Sequence, residues 1–172
     1  MIMNSSTRVL LVSMLSVAVL AGCSKKVKEQ PAAEPTAPAT PTAPVAGDGR
    51  YGPEDLDTDA CLRQRVVYFD FDQEALKPEF QAIVNCHAKY LRDRPSSRIT
   101  LQGNADERGS RAYNQALGER RGNAVNSALQ AAGGAASQLE VVSYGEERPV
   151  CTESSDSCWA QNRRVEIVYT AR

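Results

Sequence analysis

The chain has 172 residues, with 20 Lys and Arg against 21 Asp and Glu and a formal net charge of −1. Acids and bases are interspersed, so there is no basic stripe of the kind that tracks a phosphate backbone, and nucleic acid is excluded as a partner. Setting aside a leader and a low-complexity stretch leaves one domain's worth of residues, enough for a modest core.

Met1 to Arg8 carry one basic side chain, and Val9 to Leu20 are almost wholly apolar. A run of about a dozen residues fits the core of a signal peptide and falls short of the roughly 20 that a spanning helix needs. It ends in Leu20-Ala21-Gly22-Cys23, small residues directly before a cysteine. This pattern resembles a lipobox, where bacteria attach diacylglycerol to the cysteine sulfur and cleave ahead of it. Residues 1–22 are then a leader and Cys23 the lipidation site. Ser24 follows, with no aspartate, which implies sorting to the outer membrane. Each buried methylene contributes about 0.8 kcal/mol, so two or three acyl chains hold firmly where one does not.

From Ser24 to about Gly49 the composition shifts to Pro, Ala and Thr. Too few apolar residues are present to offset the entropy of ordering, and prolines this frequent favour extended conformations. Beside a lipid anchor the stretch reads as a spacer. The expected division is a lipidated, flexible tether over 23–60 and a folded domain over 61–172.

Four further cysteines follow: Cys61, Cys86, Cys151 and Cys158. An even number in an exported chain reads as disulfides. A single histidine, His87, and the absence of any Cys-x-x-Cys pair argue against a metal, and no cofactor is indicated. Three pairings are open. Cys151–Cys158, closing a short polar loop, is preferred and leaves Cys61–Cys86.

Val66 to Phe69 form a β-branched and aromatic run, a strand. Leu76, Phe80, Ile83, Val84, His87 and Leu91 then fall at helical spacing, with Pro78 near the start and Pro95 as the stop. His87 on that apolar stripe reads as a satisfied core residue and not a catalytic one. Ile99 and Leu101 alternate with polar neighbours as a second strand. Residues 103–109 form a loop, and Ser110 to Ala132 a second helix ended by Gly133-Gly134. Leu139 to Tyr144 give a third strand; Val165, Ile167 and Tyr169 alternate along a fourth. The order β-α-β-α-β-β predicts an α+β sandwich, a mixed four-stranded sheet with helices packed on it. Crossovers of this length favour parallel neighbours.

The second helix holds an anomaly. Leu117, Ala124 and Ala128 point nearly the same way, and Arg121 falls beside them. Arginine is almost never buried unless paired. The obvious anion is Asp106, in the loop that feeds the helix, and Asn114 leans toward the same face. A carboxylate, an inward arginine and a helix N-terminus suit a zwitterion. A purely structural Asp106–Arg121 ion pair fits the same pattern, and geometry alone leaves both open.

Asp106-Glu-Arg-Gly109 with Asn114, Leu117 and Arg121 resembles the D-x-x-G-x(4)-N-x-x-L-x(3)-R signature of OmpA-like peptidoglycan-binding domains. Val67 to Asp72, Val142 to Gly145 and Asn162 to Val165 extend the resemblance over residues 66–169. It implies a module that grips the meso-diaminopimelate of peptidoglycan stem peptides without covalent attachment. Asp106 and Arg121 match the main ligand residues, and Phe71 and Asp72 a loop framing the same pocket. Asn104 stands where the family often has histidine. The lipoprotein branch of the family further implies an outer-membrane anchor, a periplasmic domain and the Tol system, with TolB and other Tol proteins as partners, acting in envelope integrity and division. A wall-cleaving enzyme would need a metal triad or a nucleophile with its base, and none is evident. A motor-anchoring stator would carry a spanning helix with an intramembrane acid, which is also absent.

Overall fold

Hydrophobic alternation along four strands meets two amphipathic helices in the computed structural model, which describes residues 49–172. The expected leader, Cys23 and nearly all of the proline-rich stretch lie outside the described residues. Strand β1 is Val66–Tyr68, helix α2 Gln81–Asp93, β2 Arg98–Asn104, α3 Arg111–Ala131, β3 Leu139–Gly145 and β4 Arg164–Ala171. Two short helices, α1 (Asp55–Thr58) and α4 (Asp156–Asn162), were not expected from the sequence. Their lengths, 4 and 7 residues, are too short for a periodic signal.

The sheet order is β1-β4-β2-β3. β2 and β3 are parallel neighbours joined through α3, as the crossover length implies. The crossover from β1 to β2 behaves differently. β4 inserts between them and pairs antiparallel with both, Val67 opposite Val165 and Leu101 opposite Ile167. The mixed α+β sandwich is therefore as expected.

Alternate residues explain the core. Val67, Ile99, Leu101, Val165 and Ile167 share one sheet face and bury against Ile83, Val84, Ala88 and Leu91 of α2 and Val125 and Leu129 of α3. Truncating any of the fully buried leucines among them would cost about 2–5 kcal/mol. On the other face several residues of β2, β3 and β4 are polar: Thr100 donates to Glu140 at 3.2 Å and Arg164 to Glu166 at 2.7 Å. α3 is capped by Ser110, whose hydroxyl accepts from the Tyr113 amide, and its inward face runs through Leu117, Gly118, Arg121, Gly122 and Val125, with Ala128 half-buried against the core. The helix lies close on β2 there. A Cβ on Gly103 would run into the Gly118 carbonyl, and one on Gly118 into Ser143.

A second cluster joins Leu56, Leu62 and Tyr90, with Tyr51 packed against it. Leu56 is wholly buried, and the Tyr51 amide donates to Asp93 at 2.9 Å. Ordered packing thus starts N-terminal to the boundary expected at residue 61, because these two side chains bury apolar surface that a solvated tether would leave exposed. Both disulfides form in the preferred pairing, Cys61–Cys86 and Cys151–Cys158. His87 is buried and satisfied. Its Nε2 lies 2.9 Å from the Gln64 carbonyl, which can only accept, so Nε2 carries the proton and Nδ1 accepts from Tyr169 at 2.8 Å.

Candidate functional site

Beyond the carboxyl end of β2 the chain opens a cleft of about 230 Å³. All six residues expected at the ligand, Phe71, Asp72, Asp106, Asn114, Leu117 and Arg121, line it. Arg108, Gly109, Tyr113 and Arg163 complete the wall; Arg108, Gly109 and Arg163 fall within motifs quoted above but none of the four was expected at the ligand.

Each side chain is set by its element. The amide of Ala105 donates to the Gly145 carbonyl at 2.7 Å, carrying the β2–β3 pairing one residue further and placing Asp106 at the floor. Asp106 is 4% exposed, yet its partner is not Arg121. Arg108 donates to both its oxygens, at 3.2 and 2.8 Å, and through its backbone amide at 3.1 Å. Arg163, the residue between α4 and β4, donates at 3.2 Å. Burial pushes the Asp106 carboxyl up, but the bonds from Arg108 and Arg163 outweigh it and hold the group below the usual carboxylate range. Arg108 is pushed up in turn by its bond to Asp106.

Arg121, wholly buried, donates to three carbonyls: Nε to Gln73 at 2.8 Å, Nη1 to Asn104 at 3.0 Å and Nη2 to Asp70 at 3.1 Å. The structural alternative left open above, an Asp106–Arg121 ion pair, does not form. Helix periodicity located the inward arginine, but carbonyls at the turn after β1 and the end of β2 satisfy it. A guanidinium has five N–H donors, so one on each terminal nitrogen remains for a ligand. Burial, then the charge of Arg163, lowers Arg121 to about 10, which leaves it cationic at neutral pH.

The mouth is aromatic and acidic. Phe71 and Tyr113 are 56% and 44% exposed and stand at the cleft as apolar surface open to a ligand. Asp72 sits in the left-handed region at φ 56°, a conformation that costs a non-glycine residue about 1–2 kcal/mol and that aspartate tolerates better than most. The Tyr113 hydroxyl donates to its carboxylate. Asn114, buried on α3, donates to Glu146. Three guanidinium groups thus meet Asp106 and Asp72, a surplus of cations suited to a ligand carboxylate, with carboxylates placed for an ammonium.

Arg163 was missed because it lies 57 residues from Asp106. Its one signal was its place in the Asn162 to Val165 motif. Among the described residues no group of three or more His, Cys, Asp or Glu could hold a metal, and no helix is long and apolar enough to cross a membrane.

Residues 68–163 match the model of the OmpA family. The chain is 44% identical over 154 residues to the peptidoglycan-associated lipoprotein of Pseudomonas putida, covering 89% of this chain and 91% of that one. It is 37% identical over 167 residues to that of Pasteurella multocida, covering 97% and 100%. Among solved structures, the crystal structure of the peptidoglycan-associated lipoprotein from Burkholderia pseudomallei superposes with a TM-score of 0.66 at 44% identity, covering 67% of this chain and 98% of that one. The chain belongs to the OmpA family and, with these relatives, to its peptidoglycan-associated lipoproteins. That membership sets it among binding proteins and not among enzymes.

Proposed function

We propose that the chain is an outer-membrane lipoprotein, anchored by acyl groups on Cys23, whose periplasmic domain binds the diaminopimelate of peptidoglycan stem peptides without covalent attachment. It ties the outer membrane to the wall within the Tol system, with TolB as a protein partner, in envelope integrity and division. The observation that carries this reading is the cleft, where Asp106 lies at the floor, Arg121 retains free donors and Phe71 and Tyr113 stand exposed at the mouth. The end of a diaminopimelate side chain carries both an ammonium and a carboxylate. Asp106 and Asp72 can accept from the first, while Arg121 and Arg163 can donate to the second in the planar geometry that guanidinium groups favour. The aromatic rings would cover the aliphatic stem between them. Binding without turnover needs no nucleophile, and the cleft supplies recognition groups alone. The names of the relatives support the wall as target, and the lipobox supports the anchor.

The test is a pulldown of detergent-solubilised full-length protein with purified sacculi. Sacculi containing diaminopimelate should retain it, and those built with lysine, which lack the side-chain carboxylate, should bind weakly. Equal retention by both would sink the diaminopimelate reading. Release of soluble wall fragments would point to an enzyme instead.

A further inference from the structure

The Cys151–Cys158 bridge and the cleft are joined by an unbroken series of contacts. The bridge closes the loop from 151 to 158. Asn162 clips the same loop: its Oδ1 accepts from the amides of Val150 and Cys151 at 2.9 and 3.1 Å, and its Nδ2 donates to the Cys151 carbonyl at 2.7 Å. Ser155 caps α4 by accepting from the Cys158 amide. Together these fix the direction in which the next residue, Trp159, leaves the helix. Trp159 is the only tryptophan in the chain.

Its Nε1–H donates at 3.1 Å to Oε1 of Glu107, which also accepts from the Ser154 hydroxyl at 3.1 Å. The Trp159 ring centre lies 4.2 Å from the guanidinium carbon of Arg108, and the Phe71 ring centre lies 4.0 Å from it. Arg108, flanked by two rings, directs its fork at Asp106. An arginine on a surface loop ordinarily loses much side-chain entropy in holding one geometry, which weakens the pairs it makes. Two ring faces restrict it beforehand and add cation–π attraction. Trp159 belongs to neither hydrophobic cluster of the domain, so the core does not account for its placement.

We propose that Trp159 is a positioning residue for the wall-peptide site, acting through Arg108 to hold Asp106 in one orientation, and that the Cys151–Cys158 bridge serves the site by holding Trp159. The proposal rests on the reading of the cleft given above.

The test uses detergent-solubilised full-length protein as native, Trp159→Ala, Trp159→Phe and the double Cys151→Ser/Cys158→Ser variant. Calorimetry measures affinity for a diaminopimelate-containing stem peptide. Carbon-13 NMR follows the titration of the Asp106 carboxyl without ligand, in the field of Arg108, Arg163 and Arg121. Trp159→Ala should bind about three- to fivefold more weakly and titrate Asp106 at higher pH than native. Trp159→Phe should restore both readouts in large part, and the double serine variant should fall with Trp159→Ala. Native affinity and native titration in Trp159→Ala, with only the melting temperature lowered, would overturn the proposal. If native protein fails to bind the peptide, the reading of the cleft is wrong, and the Asp106 titration still decides whether Trp159 positions that carboxylate.

Discussion

Asp106 and Arg121 share one cleft wall without pairing. The carboxylate is held by Arg108 and Arg163, while the guanidinium is held by the carbonyls of Asp70, Gln73 and Asn104. Each is compensated separately, so either can engage a ligand without first breaking a bond to the other. The arrangement also gives the two residues different roles in stability.

Arg121→Ala should destabilise the fold as well as abolish wall binding, because three carbonyls lose their donor. A loss of about 3 kcal/mol or more is expected in a denaturant melt. Arg121→Lys should recover little, since one ammonium cannot span three acceptors and a ligand. Asp106→Asn, in contrast, keeps one acceptor oxygen for Arg163 and the Arg108 Nη2, and loses the charge and the bonds that Oδ1 accepts from the Arg108 amide and Nε. It should stay folded and bind sacculi about a hundredfold more weakly. An Asp106→Asn protein that binds normally would remove Asp106 from the site.

His87 gives the domain an acid-sensitive core. Burial lowers its pKa from 6.5 to about 4 in the folded state, and the nearby Arg65 acts in the same direction. The unfolded chain therefore takes up a proton below pH 6.5 that the folded chain refuses until about pH 4. Stability is full above that window and falls through it as pH drops, by about 3 kcal/mol in all. Melting temperatures of native and His87→Gln protein, read from pH 7.5 to 4, should converge as the pH falls. Parallel curves would show that His87 does not drive the loss.

The Cys61–Cys86 bridge spans 25 residues and ties the segment before β1 to α2. Loop-closure entropy for that span is worth about 3 kcal/mol. The Cys61→Ser/Cys86→Ser protein should melt earlier and exchange its amides around Leu56 and Leu62 faster than native. Unchanged exchange there would mean that burial of Leu56 and Tyr51 holds the segment alone.

Lipidation is tested directly in cells. Cys23→Ser should leave the outer-membrane fraction and accumulate in soluble or unprocessed form. Mass spectrometry of native protein showing an unmodified Cys23 would rule out the anchor.

Much of this was legible because local patterns carry it. Alternation at Val165, Ile167 and Tyr169 marks a strand whatever its neighbours are, and helix periodicity alone turned Arg121 inward. Pairing order was less accessible. Nothing in the run after Val165 announces that it inserts between β1 and β2, since any strand with one apolar face suits any position on the sheet. The partners of Asp106 were hidden for a related reason, as Arg163 reaches the cleft only because β4 is central. Leu56 and Tyr51 are isolated apolar residues beside a low-complexity stretch and carry no period to read. Gly118 and Gly122 lower helix propensity, and only the close approach to β2 and β3 explains them.

The central place of β4 also sets when folding can begin. Among the described residues β1 pairs with β4 alone, about a hundred residues later in the chain, with Val67 opposite Val165. Until that last strand has been synthesised, β1 has nothing to pair with and the core lacks Val165 and Ile167. Contacts this far apart in sequence close slowly. A chain still emerging from the ribosome can therefore pair β2 with β3 but cannot add β1 to the sheet until β4 is complete. For a chain exported as proposed above, machinery that accepts only unfolded polypeptide would meet no finished domain to pull apart.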